Sequence, residues 1–326
     1  MSFSVDVRIH QSQFPAQVRR DLMESLRSRR INHKFHYDSI KQTNKWLALH
    51  QAYSPSRNDA DSAATYDRAF TGVVTRIRAR SVQVVGLGCG GGQKDTRLLK
   101  LLKALGKGIS YTPSDVSVAM TLVANAAASS VVPRGKSFPL VCDLATADNL
   151  SRVLFEHYAP GAARLFTFFG MIPNFEPQDI LPKLAELARR RDTLLFSANL
   201  APGADYAAGV ARILPQYDNQ LTRDWLLAFL FDLGVRRADG ELRVSIERGS
   251  DALLRVVARF HFKRPRVVQV DGREFSYQRG DNIRLFFSYR YTPDLMRTLL
   301  GRHGLRVVNE WITKSGEEGV FLCRRQ

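Results

Sequence analysis

Asp115, in "YTPSDVS", and Asp143, in "VCDLA", each follow a short apolar run, and both lie downstream of the glycine-rich stretch "VVGLGCGGGQKDTRLL" at residues 84–99. A carboxylate about twenty residues beyond such a loop can accept hydrogen bonds from both hydroxyls of a ribose. A second one at the next strand end can accept from an adenine amino group while an apolar neighbour, here Leu144, packs on the ring. The competing reading is that each aspartate only caps the helix after it, which Asp does readily. Loop and aspartates together favour adenosine binding.

The glycines narrow the choice of nucleotide. Gly86-x-Gly88-x-Gly90 lacks the third glycine of the dinucleotide fingerprint at its usual place, and no Gly-Lys-Ser/Thr follows, which excludes a P-loop. S-adenosylmethionine carries no phosphate, so a broad glycine loop without a phosphate-binding lysine suits it.

The surrounding elements must present this loop to a ligand. Val82, Val84 and Val85 read as a buried strand, and Leu98, Leu99, Leu101, Leu102 and Leu105 recur at helical spacing. A strand that turns through glycines into a helix directs backbone N–H groups and a positive helix end at whatever sits above the sheet. From about residue 62 to 200, strand-like and helix-like runs alternate, which predicts right-handed crossovers and a parallel sheet with helices on both faces. Beyond 200 the pattern changes. "LTRDWLLAFLFDLGV" reads as an amphipathic helix, and "LLRVVARFHFKRPRVVQVDGREFSYQ" as an antiparallel meander with an Asp271-Gly272 turn. The tail reads as helix, strand, turn, strand. A parallel α/β core that ends in an antiparallel hairpin fits an S-adenosylmethionine domain better than an NAD-binding one.

Composition sets the outer bounds. A chain of 326 residues with 44% hydrophobic content can bury a full core. No run of apolar residues is long enough for a membrane span, and the start lacks the apolar segment of a signal peptide, so a cytoplasmic enzyme without membrane contact is expected. Cys89, Cys142, Cys323 and the seven histidines show no metal-ligand spacing, so no metal site is expected. The 48 Lys+Arg against 31 Asp+Glu give a net charge of +17, which raises nucleic acid as a partner. These charges are dispersed through "RRDLMESLRSRR", "RIRARS", "ARRRD" and "HFKRPR", a pattern that favours a solvated basic surface. Oligomeric state has no signature in the sequence.

Six segments, in order, resemble the histidine Nα-methyltransferases of ergothioneine biosynthesis and relatives such as the dimethylallyltryptophan N-methyltransferases. They are "FHYDS", "YSPSR", "GLGCGGGQKDTRLL", "YTPSDVS", "FFGMIPNFEP" and "FFSYRYT". The resemblance implies a Rossmann-like class I methyltransferase core from residues 62–200 and 292–326, and a second α+β substrate domain from 1–61 and 201–291. It implies that Gly86, Gly88, Gly90, Lys94, Asp115, Asp143 and Leu144 surround S-adenosylmethionine. Tyr37, Tyr53 and Asn174 would carry the catalytic roles. Tyr53, Gly170, Asn174, Tyr217, Phe286 and Ser288 would contact a small amino-acid-like substrate.

Three departures matter. Phe286 stands where the family places an acid that grips imidazole, and an unpaired imidazole N–H there would cost about 1–3 kcal/mol. The expected substrate is therefore an amino acid with an aromatic or apolar side chain, not histidine. Pro173 replaces a glycine beside Asn174, and Gly86 replaces an acid at the strand end. An RNA or protein methyltransferase, and a cofactor-binding homologue without activity, remain the alternatives.

Overall fold

The computed structural model describes residues 4–54 and 58–326. Arg57 of the "YSPSR" segment lies outside the described residues. The short strand β1 (Arg8–Ile9) precedes the helices α1 (Pro15–Ser28), α2 (Ile40–Tyr53) and α3 (Ala60–Val74). Strands and helices then alternate: β2 (Ser81–Leu87), α4 (Gln93–Ala104), β3 (Gly108–Asp115), α5 (Val118–Ala128), β4 (Leu140–Val141), α6 (Leu150–Phe155), β5 (Ala163–Phe168), α7 (Pro177–Leu187) and β6 (Thr193–Asn199). Next come α8 (Tyr206–Ile213), α9 (Gln220–Asp232), β7 (Gly240–Arg248), β8 (Leu254–Phe262), β9 (Arg266–Val270), β10 (Arg273–Tyr277) and β11 (Asn282–Tyr289). The helix α10 (Pro293–Arg302) and the strands β12 (Leu305–Ile312) and β13 (Glu318–Arg325) complete the chain.

Among the described residues, eight strands form one sheet in the order β1-β4-β3-β2-β5-β6-β13-β12. The pairs from β1 to β6 are parallel, and β13 enters antiparallel between β6 and β12. This is the Rossmann-like class I methyltransferase arrangement, with its terminal antiparallel hairpin. Val82, Val84, Val85 and Leu87 of β2 are all buried, as a strand covered on both faces requires. Side-chain caps begin the helices around the core: Asp59 accepts from the Ser62 N–H, Ser117 from Met120 and Thr292 from Leu295.

A second, antiparallel sheet has the order β11-β8-β7. The expected meander is divided. The strand β8 pairs with β7 and β11, while β9 and β10 form a separate hairpin. Its turn is at Asp271 and Gly272, both with positive φ, as a two-residue hairpin loop demands. The aromatic core under this sheet includes Phe35, Trp225, Phe260 and Phe286, drawn from the N-terminal segment, α9 and the strands. The N-terminal segment serves both sheets, since β1 forms the edge of the large one. Among the described residues, no helix is long and apolar enough to cross a membrane.

Candidate active site

A cavity of about 1470 Å³ opens at the carboxyl ends of the parallel strands and extends to the small sheet. One half is lined by the glycine loop, Asp115, Asp143 and Leu144, the other by Tyr37, Trp46, Tyr217, Trp225 and Phe286–Ser288. Its position beside β2, where the strand order reverses between β3 and β5, is where open α/β sheets bind ligands.

The loop and the first aspartate are joined directly. Asp115 ends β3, and its Oδ2 accepts from the Gly90 N–H at 3.0 Å while Oδ1 accepts from the Ser117 N–H at 3.1 Å. Burial raises the Asp115 carboxyl above its ordinary pKa, and these backbone N–H groups oppose that shift. Gly88 and Gly90 have φ of +59° and +52°, a conformation that favours glycine. Ser117, not Asp115, caps α5. Asp143 holds a tight turn, with Oδ1 accepting from the Ala145 N–H at 2.9 Å. Its buried Oδ2 has no hydrogen-bond partner among the described residues, and the nearest cation, Lys34 Nζ, is 3.5 Å away.

Gly86 exposes a residue that sequence reasoning missed. A Cβ at Gly86 would overlap Asp95 Oδ2, so the carboxylate from the first turn of α4 fills the space a side chain there would take. Asp95 lines the cavity and accepts from Tyr111 Oη and Thr167 Oγ1, each at 2.7 Å. Burial pushes its carboxyl up to about 6, and the two hydroxyl donors oppose the shift. The sequence signal was only an acid in a helical first turn. Lys94 lines the cavity too, but its ammonium donates to Tyr66 Oη at 2.7 Å and pairs with Glu318 at 3.9 Å. The loop's lysine is thus engaged inside the protein.

In the other half, Tyr37 packs between Trp46 and Trp225, at ring centroid distances of 6.0 and 5.5 Å. Burial, and then the charge of Asp115, push its phenol well above the usual range, so it is a neutral hydroxyl near the cofactor half. Tyr53 ends α2 at the cavity rim and is 54% exposed. Asn174 lines the cavity despite Pro173, because its Nδ2 donates to the Phe287 carbonyl at 3.1 Å. Gly170 has φ +73° and donates its N–H to Ser197 Oγ at 2.9 Å. Tyr217 Oη donates to Ser288 Oγ at 2.9 Å and accepts from Arg290 Nη2 at 2.8 Å. Arg290 and Asn199 complete this polar cluster, and neither was singled out from sequence, although Arg290 stands within "FFSYRYT". Phe286 closes on Tyr217 and Trp225 with ring centroids 6.1 and 5.8 Å apart.

The cofactor half fits S-adenosylmethionine. Asp143 Oδ2, held by Lys34 Nζ at 3.5 Å with no hydrogen-bond donor among the described residues, can accept from an amino group, Asp115 meets the glycine loop at the end of β3, and the loop's Lys94 is engaged by Tyr66 and Glu318. The N-methyltransferase imqF of Aspergillus flavus is 23% identical over 278 residues, spanning 82% of this chain and 73% of that protein. Among solved structures, the CcbJ methyltransferase from Streptomyces caelestis has a TM-score of 0.41 at 13% identity, covering 80% of this chain and 94% of that one. OxaC in complex with SAH and oxaline has a TM-score of 0.46 at 11% identity, covering 89% and 54%. A family model described as histidine-specific, SAM-dependent methyltransferase matches residues 17–325. A match that runs through both halves of the cavity identifies an S-adenosylmethionine-dependent methyltransferase, and the chain belongs to that histidine-specific methyltransferase family.

Proposed function

We propose that the protein methylates the amine of an amino acid, or of a small molecule derived from one, whose side chain is not histidine. Phe286 carries this reading. It lines the cavity within an aromatic wall and, unlike an acid, cannot itself accept from an imidazole N–H. The relative imqF, named an N-methyltransferase, supports nitrogen as the acceptor.

Residues 62–200 and 292–326 would hold the methyl donor, and 1–61 and 201–291 the amine. On the donor side, Asp115 would receive the ribose hydroxyls, with Asp143 and Leu144 at the adenine and Gly86, Gly88, Gly90 and Asp95 around the amino-acid end. On the acceptor side, Asn174, Tyr53 and the Tyr217–Ser288 pair would grip the substrate head, and Arg290 behind Tyr217 biases that pair toward an anionic group. S-adenosylmethionine supplies an electrophilic methyl that moves to nitrogen in one displacement. The chain's contribution is alignment, which can lower such a barrier by about 7–11 kcal/mol at most. Tyr37 is held protonated, so its hydroxyl oxygen accepts from the amine, aims the nitrogen lone pair and relays a proton to water.

The test is transfer from methyl-labelled S-adenosylmethionine to an amino-acid pool or to total RNA, with variants. Label is expected in a small amine; label in RNA alone would overturn the reading. Tyr53→Phe and Asn174→Ala are expected to raise the amine's KM and leave cofactor affinity unchanged, whereas Asp115→Ala abolishes cofactor binding. Equal effects of all three on cofactor affinity would overturn the assignment of residues.

A further inference from the structure

Beyond Phe286 the cavity wall changes from aromatic to cationic. The register of β11 against β8 shifts between Arg284 and Phe286, and a bulge of this kind re-aims side chains. As a result Arg284, Phe286, Phe287 and Ser288 all line the cavity. Arg284 is only 8% exposed, and its guanidinium stands 4.7 Å from the Phe287 ring centroid. Two neighbouring arginines are paired, Arg255 with Glu176 at 2.8 Å and Arg259 with Glu247 at 2.7 Å, while Arg30 adds a further positive charge to the same wall. Glu176 also accepts from Tyr289 Oη at 2.5 Å. Among the described residues, Arg284 has no carboxylate within ion-pair distance and no side-chain hydrogen bond.

A second unpaired group lies beside it. His33 packs edge-on against Phe286 and Phe287, at centroid distances of 5.5 and 4.8 Å, and lines the cavity. Both of its ring nitrogens are buried without a hydrogen-bond partner. Burial, with the charges of His36 and Arg284, lowers its pKa to about 3, so it is a neutral imidazole that can donate one hydrogen bond. Arg284 is itself lowered to about 10 by burial and by the nearby Arg255, and stays charged at neutral pH. Leaving a buried cation and an imidazole N–H unpaired is costly, and an anionic acceptor that pairs with both removes that cost.

We propose that this end of the cavity is a carboxylate subsite, in which Arg284 and His33 receive an anionic group at the far end of a substrate whose middle is aromatic or apolar. The inference rests on the amino-acid reading above and adds the substrate's charge.

The probes are L-phenylalanine, 4-carboxy-L-phenylalanine, its longer 4-carboxymethyl homologue, and 4-aminomethyl-L-phenylalanine. Each is titrated calorimetrically into protein saturated with S-adenosylhomocysteine and then assayed for methyl transfer. A carboxylate probe is expected to bind about ten- to a hundredfold more tightly than phenylalanine, the range of a charge-assisted pair. Arg284→Gln is expected to remove that preference without weakening phenylalanine, Arg284→Lys to keep part of it, and Arg284→Glu to favour the aminomethyl probe. If wild type binds phenylalanine as tightly as both carboxylates, or Arg284→Gln keeps the preference, the subsite is overturned and the amino-acid reading stands. If no amino-acid probe or pool is bound or methylated, both are overturned.

Discussion

Asp95 separates two effects of pH that usually travel together. Its folded pKa of about 6 lies above the ordinary 3.8, so the folded protein holds this proton more tightly than the unfolded chain does. That contribution to stability is complete below the ordinary value and is lost as pH rises through about 6. Cofactor binding should run the other way, because an ionised Asp95 attracts the cofactor's ammonium and a protonated one does not. Cofactor affinity is therefore expected to weaken from about pH 8 to about pH 5, and Asp95→Asn to bind about tenfold more weakly at the higher pH and lose that dependence. Calorimetry across the range checks the affinity. Thermal unfolding of the ligand-free variant checks the sign, since removing the ionisable group should raise Tm more at high pH than at low.

At the scale of elements, the loop between β2 and α4 depends on one close approach. Gly92 has φ +71°, and a Cβ there would come within 2.7 Å of the Ala124 backbone on α5. Gly106 has nearly the same φ, +70°, with nothing within 4 Å. Both alanine variants pay backbone strain of about 1–3 kcal/mol, but only Gly92→Ala also pushes two helices apart. The excess loss in urea unfolding, and a weaker cofactor affinity for Gly92→Ala alone, measure what the approach contributes. Much at this scale was legible in the sequence. The strand, glycines and leucine helix, the acid at the end of β3 and the Asp271-Gly272 turn are local patterns that report their own geometry. The pairing of β8 with β7 and β11 was not legible, because alternation tells which face a residue takes and not which strand lies beside it. Asp95, Arg284 and His33 were missed for the same reason: they acquire meaning only when distant segments converge on one cavity.

At the scale of the whole molecule, Lys34 ties the N-terminal segment to the cofactor half. It is buried, pairs with Asp21 on α1 at 2.5 Å, and stands 3.5 Å from Asp143. Lys34→Met leaves two carboxylates without their cation, a change that costs about 3–5 kcal/mol when a buried pair is broken. Its Tm is expected to fall, and the further stabilisation by S-adenosylmethionine to shrink, which a pair of thermal scans with and without cofactor would show. The place of β13 has a different reach. It is the last strand of this chain, yet it lies inside the large sheet, antiparallel to both β6 and β12. During synthesis, β6 must leave the ribosome with one edge open and wait until residues 318–323 have followed it. The parallel half can assemble early, but its exposed edge is a template for pairing with other chains until β13 has been made. The demand on chaperones is thus set by the order in which the strands are made.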